Sequence, residues 1–293
     1  MLTATAGFAQ QDAQFTQYMY NTINVNPAYA GSRGAMSIFG LHRTQWVGLD
    51  GAPVTNALSF NTPINDSNIG IGLSFVNDKI GPTVENAISV DVSYTVQTSE
   101  DFKLSFGVKG TGNFFNLNTA DLNPEIVADP SIQNYNKFTP NIGAGIYFHS
   151  DKTYVGISVP NFIQNALHYN DNDVAVTRER INYYFIAGHV FDLSSQVKFK
   201  PALLTKMVTG APLQVDVSGN FMFFDKLVIG AAYRWDAAVS ALAGFQITDG
   251  LYLGYGYDLE TTRLKHYNSG SHEIFLRYEL FSNYNKIISP RFF

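Results

Sequence analysis

Three observations predict a transmembrane β-barrel with about fourteen antiparallel strands. Apolar and polar side chains alternate through about fourteen runs, the period of strands with one apolar and one wet face. Charge is scarce: Asp, Glu, Lys and Arg make up 15% of the chain while aromatic residues reach 14%, against about 25% charged residues in ordinary soluble domains. The connections between runs alternate between tight and long, as they do between the periplasmic and outer rims of outer-membrane barrels. No run approaches the roughly 18 apolar residues of a membrane helix. The apolar surface is therefore carried on every second residue.

In chain order, residues 1–9 read as the remnant of a secretory signal, with Gly7 and Ala9 at the positions that precede a cleavage after Ala9. Residues 10–32 read as a periplasmic segment or a partial plug, 33–281 as the barrel and 282–293 as a periplasmic tail. Phe15, Tyr18, Met19 and Ile23 fall at helical spacing, and Pro27 and Gly31 stop that helix before the first strand. A barrel of about fourteen strands is too wide for its own side chains to fill. The segment is therefore expected at the periplasmic mouth or in the lumen; the alternative is a tail that merely leads into the first strand.

Strands begin near Gly34, Val54, Asn68, Val84, Asp101, Phe138, Thr153, Glu179, Ser195, Leu213, Lys226, Ala238, Leu251 and Ser271. Ile88, Val90, Val92, Tyr94 and Val96 oppose Ser89, Asp91, Ser93 and Thr95. Phe102, Leu104, Phe106 and Val108 oppose Lys103, Ser105, Gly107 and Lys109. Asn65–Ser67, Thr98–Glu100, Ser150–Lys152, Asp192–Ser194, Asp225–Lys226 and Thr248–Gly250 are tight turns. Phe115–Lys137, Pro160–Arg178 and Asp258–Gly270 are long loops, with shorter members near Gly48–Asp50, Lys79–Gly81 and Gly210–Ala211. An even strand count returns both termini to the periplasm. Closure follows from energetics, because each unpaired backbone group in hydrocarbon costs several kcal/mol. Tyr94, Tyr147, Phe148, Tyr154, Tyr257 and Tyr278, near strand ends, are expected in aromatic girdles.

Net charge is −5 without blocks of one sign, which excludes a nucleic-acid surface. There is no cysteine, so disulfides and thiol catalysis are excluded. No nucleotide-binding, metalloprotease or hydrolase motif stands in a suitable context, and neither enzymatic activity nor a cofactor or metal is expected. His149 and His189 are expected at the membrane interface, and Asn170–Asp173 in a solvated loop. Inward charges are mixed: Lys103, Lys109, Lys198, Lys200 and Arg277 against Asp91, Asp216, Glu273 and Glu279. That mixture predicts internal pairing, since a selective channel carries rings of one sign. Arg43 is expected to face inward and pair with Asp216 or Glu273.

The stretch FTQYMYN…NVNPAYAGS, Phe15 to Ser32, followed by HRTQW at His42 to Trp46, resembles the PorP/SprF family of the type IX secretion system. The resemblance implies an integral outer-membrane barrel without enzymatic activity. Its implied role is secretion or surface anchoring of a large protein with a C-terminal sorting domain. In some members that protein is an adhesin of gliding motility; others belong to the secretion machinery. The expected partners are outer-membrane lipid, the secreted surface protein and type IX secretion components. Phe15, Tyr18, Met19, Asn26, Pro27, Tyr29, Gly31, Arg43, Gln45 and Trp46 are the candidate plug or partner-binding residues. A solute-conducting porin is the chief alternative; a soluble sandwich or lipocalin-like protein and an outer-membrane enzyme are the others.

Overall fold

The computed structural model describes residues 15–65, 67–118, 134–167, 177–178 and 180–280. The expected signal remnant, the C-terminal tail and Asn170–Asp173 lie outside these residues. Fourteen strands form a closed antiparallel barrel. They are β1 (Met36–Thr44), β2 (Val54–Pro63), β3 (Ile69–Ile80), β4 (Thr83–Gln97), β5 (Lys103–Leu117), β6 (Tyr135–His149), β7 (Thr153–Val159), β8 (Asn182–His189), β9 (Val197–Val208), β10 (Gln214–Phe223), β11 (Leu227–Arg234), β12 (Ala238–Gln246), β13 (Leu251–Glu260) and β14 (Ser271–Leu280). Each pairs with the next, and β14 returns to β1 in a register running from Met36↔Leu280 to Thr44↔His272. A two-residue pair, Ala166–Leu167 with Thr177–Arg178, decorates the β7–β8 connection.

The turns sort onto two rims. Connections after β2, β4, β6, β8, β10 and β12 lie on one rim with the start of β1 and the end of β14; the rest lie on the other. The second rim carries the long connections, 118–134, 160–181 and 261–270, but also the tight turns 81–82 and 235–237. The first two long loops are bounded differently from expectation. β5 and β6 stay paired out to Leu117↔Tyr135, where Phe114, Phe115 and Asn116 break the alternation that marks a strand in sequence.

Alternation sets which side meets lipid. On β4, Val90 is 54% exposed and Tyr94 52%, whereas Asp91 and Ser93 are buried. On the long-loop side this apolar belt ends at an outward polar ladder. His42 Nδ1 lies 2.7 Å from Asn56 Oδ1, Asn56 Nδ2 donates to Asn77 Oδ1 at 3.2 Å, and Asn77 Nδ2 donates to Asn86 Oδ1 at 2.9 Å. A charge placed within the belt has no partner. Val90→Arg is expected to lower unfolding stability by about 2–4 kcal/mol in lipid, read by urea titration, with Lys79→Arg beyond the ladder close to neutral.

The girdle expectation holds for part of its set. Tyr94, Phe148 and Tyr278 face outward, but Tyr147 and Tyr154 are buried inside the barrel and Tyr257 is half-buried. Parity is the reason: Tyr147 shares its face of β6 with buried His149, and Tyr154 shares its face of β7 with buried Ser158. His149 is likewise inside, stacked on Tyr147 with ring centroids 5.0 Å apart, and is not at the membrane interface. His189 Nδ1 lies 2.7 Å from Thr153 Oγ1 across the β7–β8 pair.

Candidate functional site in the barrel lumen

The buried apolar cluster of this chain lies inside the barrel. It is built from Tyr18, Met19, Tyr20, Ile23, Val25, Ala28, Tyr29 and Ala30 of the N-terminal segment, packed against inward residues such as Phe39, Leu41, Tyr147, Tyr252 and Phe275. The segment runs through three short 3-10 turns, Tyr18–Tyr20, Thr22–Asn24 and Pro27–Tyr29. This corrects the expected helical face. Gln17, Asn21, Thr22 and Asn26 are buried as completely as the apolar residues, so apart from half-buried Asn24 the segment has no wet face. A continuous helix would also spend its carbonyls on its own i→i+4 bonds. Here those carbonyls accept from the wall: Ile23 O from Lys109 Nζ at 3.3 Å, Val25 O from Ser158 Oγ at 2.6 Å, and Ala30 O from Ser93 Oγ at 2.7 Å.

At the end toward the long-loop rim, Arg43 of β1 faces inward. Its Nη2 donates to Asp258 Oδ2 at 2.7 Å; its Nη1 donates to Glu273 Oε2 at 3.2 Å and to Thr16 Oγ1 at 2.6 Å. Glu273 also accepts the backbone N–H groups of Thr16 and Gln17, each at 2.9 Å. The expected partner Glu273 is therefore present, but Asp216 is not: it pairs with Arg234 at 2.6 Å, and Arg234 also donates to the Phe15 carbonyl at 3.4 Å. Closure brings β13 and β14 beside β1, which puts Asp258 nearer to Arg43 than Asp216 on β10.

In the middle, Tyr20 stacks on Tyr252 at 5.3 Å and tilts against Phe275 at 4.7 Å. Lys200 Nζ sits 5.2 Å from the Tyr20 ring centroid. Burial pushes the Tyr18 and Tyr20 phenols above their ordinary range.

At the short-turn end the wall is hollowed to admit backbone. Asn26 Oδ1 caps its own turn by accepting from Ala28 N–H at 3.0 Å, while its Nδ2 donates to Ile146 O at 3.0 Å. A Cβ at Gly145 would lie 2.2 Å from Asn26 Oδ1, one at Gly107 2.2 Å from Ala28 N, and one at Gly70 2.2 Å from the Ala30 carbonyl oxygen. Gly31 turns the chain in the left-handed region at φ +70, a conformation that glycine adopts without steric cost. Tyr29 meets Tyr147 edge-on at 5.7 Å, and Arg33 pairs with Glu279, from which Arg277 is 3.8 Å.

Phe15 thus lies toward the end of the lumen that holds Arg43, Tyr18 and Met19 are buried in the apolar cluster, and Asn26, Pro27, Tyr29 and Gly31 line the other end. Gln45 and Trp46 join neither group. They lie on the long-loop rim, where Gln45 N–H donates to Pro53 O at 2.9 Å and Trp46 Nε1 donates to Glu260 Oε1 at 2.8 Å. Lys109 pairs with Asp91 at 2.9 Å, whereas Lys198 pairs with turn residue Asp225 at the short-turn rim and Lys103 is exposed there. Sequence reasoning missed Asp258 and the wall glycines. The available signal was a glycine such as Gly107 on the parity that otherwise carries Ser105 and Lys109.

A closed barrel with an apolar belt, whose N-terminal segment packs against inward-facing residues, defines an integral outer-membrane β-barrel protein. The chain belongs to the PorP/SprF family: the family model described as type IX secretion system membrane protein PorP/SprF matches residues 7–278. That membership places it in the outer membrane and among proteins that interact with type IX secretion components. The family and its barrel are those of a secretion component and not of known enzymes. Similar solved structures are outer-membrane barrels. The CymD monoaromatic hydrocarbon channel is 12% identical, with TM-score 0.48 over 94% of this chain and 94% of that chain. A FadL homologue from Pseudomonas aeruginosa is 14% identical, with TM-score 0.45 over 84% of this chain and 89% of that chain. The KdgM porin is 8% identical, with TM-score 0.39 over 83% of this chain and 99% of that chain. No curated protein matches the sequence.

Proposed function

We propose that this barrel is a non-enzymatic partner of the type IX secretion system, closed by its own N-terminal segment. In this reading it supports secretion or surface anchoring of a large protein with a C-terminal sorting domain, such as a gliding-motility adhesin. The observation that supports the reading is the burial of this segment: Thr16 to Ala30 is buried apart from half-buried Asn24, and it is bonded to inward groups around the barrel. A solute porin works through an open aqueous lumen. The short-turn rim, which holds the start of β1 and the end of β14, is the periplasmic side by the usual sorting of turns. The opposite rim, with its long loops and with Gln45 and Trp46 in the connection between β1 and β2, is the surface that meets the secreted partner.

Two measurements test this. Detergent pull-down from native membranes is expected to recover a very large surface protein together with secretion components. In planar bilayers the intact barrel is expected to be nearly silent, and deletion of residues 15–31 is expected to give a large, steady conductance. Recovery of the barrel alone, with solute-sized conductance from the intact chain, would return the reading to a porin.

A further inference from the structure

The N-terminal segment is attached to the lumen in two unlike ways, and the break between them falls at Asn21. Thr22 to Gly31 lies against β3 to β7. Its contacts there combine wall hydrogen bonds to the Ile23, Val25 and Ala30 carbonyls with close steric fits: a Cβ at Gly72 would lie 2.3 Å from Ile23 Cδ1, and one at Gly107 2.4 Å from the Pro27 carbonyl carbon. Only Ser32 to Ala35 separates this part from β1, so it has little chain with which to move away. Phe15 to Tyr20 lies against the opposite wall, chiefly β1, β11, β13 and β14. Its far end is held by polar groups: the Arg43–Asp258–Glu273 cluster on Thr16 and Gln17, and Arg234 on the Phe15 carbonyl. Asn21 separates the turns Tyr18–Tyr20 and Thr22–Asn24, with φ −129 and ψ 50, outside helical geometry.

We propose that the segment is a hinged gate, in which Thr22–Gly31 is a fixed seat, Asn21 the hinge, and Phe15–Tyr20 a leaf latched by Arg43, Asp258 and Glu273. The inference rests on the reading of the lumen as closed. Two properties of the latch carry it. Arg43, Asp258 and Glu273 lie within three residues of the strand ends at the long-loop rim, the first part of the lumen that anything arriving from that side meets. The latch is also exchangeable in chemistry. Glu273 accepts two successive backbone N–H groups and Arg43 donates to a hydroxyl, bonds that water or another polypeptide can replace. The seat has wall hydrogen bonds too, but they are backed by glycine hollows whose shape no solvent molecule reproduces. Release of the latch swings the leaf from the β9–β14 side of the lumen and leaves the β3–β7 side filled.

The absence of cysteine allows a direct test. Met19→Cys reports on the leaf and Val25→Cys on the seat, each labelled in the assembled barrel with a bulky water-soluble maleimide. In the unaltered latch both are expected to label slowly. Adding Glu273→Gln is expected to speed labelling at position 19 at least tenfold, leave position 25 unchanged, and produce brief conductance steps smaller than those of the 15–31 deletion. Assembly is checked by heat-modifiable migration on gels; if Glu273→Gln does not assemble, Asp258→Asn is read in the same way. Equal acceleration at both positions, or none at either in an assembled barrel, would overturn the gate. Fast labelling of position 19 with the latch intact, together with open conductance, would instead overturn the closed-lumen reading.

Discussion

Gly107→Leu is expected to turn a nearly silent barrel into a conducting one while the strands remain assembled. Gly107 sits mid-strand in β5 on the inward face, where the segment's backbone crosses it. A Cβ there would lie 2.2 Å from Ala28 N and 2.5 Å from Ala28 Cα. Those atoms are main chain and have no flexible end to bend aside. The strand itself has no objection to leucine, since a glycine in a strand interior weakens it and offers nothing to pack. The barrel therefore gains while the seat loses its floor, and the segment is displaced. Gly110→Leu, on the outward face of the same strand with nothing within 4 Å of its Cβ, is the control and is expected to leave conductance unchanged. The measurement is planar-bilayer recording paired with heat-modifiable migration. An assembled Gly107→Leu barrel that stays silent would mean that something other than Asn26–Ala30 closes this half of the lumen.

The contrast between Gly107 and Gly110 also marks how far the sequence could be read. Strand existence, inward and outward parity and the two rims all follow from local order, because a period of two is set by the backbone. Val90 outward and Asp91 inward needed no knowledge of the rest of the chain. What crosses the lumen is different. Gly107 had the inward parity, but nothing nearby in sequence announces that Pro27 and Ala28 lie over it. Tyr147 and Tyr154 have girdle-like positions near strand ends, but they share the inward parity of His149 and Ser158, and Tyr29 packs against Tyr147 there. The spacing of Phe15, Tyr18, Met19 and Ile23 suggested a helix because an amphipathic pattern presumes one wet face. A segment enclosed on all sides has none, and wall donors compete for its carbonyls. Arg43 was legible as an inward charge, and Glu273 as one of two possible partners. Asp258, 215 residues away from Arg43, becomes a neighbour only once the last strands close on the first.

That late closure makes Arg43 the residue whose loss should cost most stability. Arg43→Ala leaves Asp258 and Glu273 facing each other in the lumen with their shared cation gone, and both are almost fully buried. Removing one partner of a buried charge group typically costs about 3–5 kcal/mol, because the remaining charge stays desolvated and uncompensated. Glu273 keeps the Thr16 and Gln17 N–H groups, and Asp258 keeps the Thr16 hydroxyl at 2.5 Å. These bonds soften the loss without supplying a positive charge. Arg43→Lys should fall between wild type and Arg43→Ala. A single ammonium retains the charge, but it lacks the planar fork that reaches Asp258 with one nitrogen and Glu273 and Thr16 with the other. The discriminating measurement is a double-mutant cycle in urea, with the barrel folded into lipid. Asp258→Ala added to Arg43→Ala is expected to cost less than the two single changes summed, with a coupling of about 0.5–3 kcal/mol. Strict additivity would mean that Arg43 and Asp258 do not support one another, and that this charge pair adds nothing to the join between the first strand and β13.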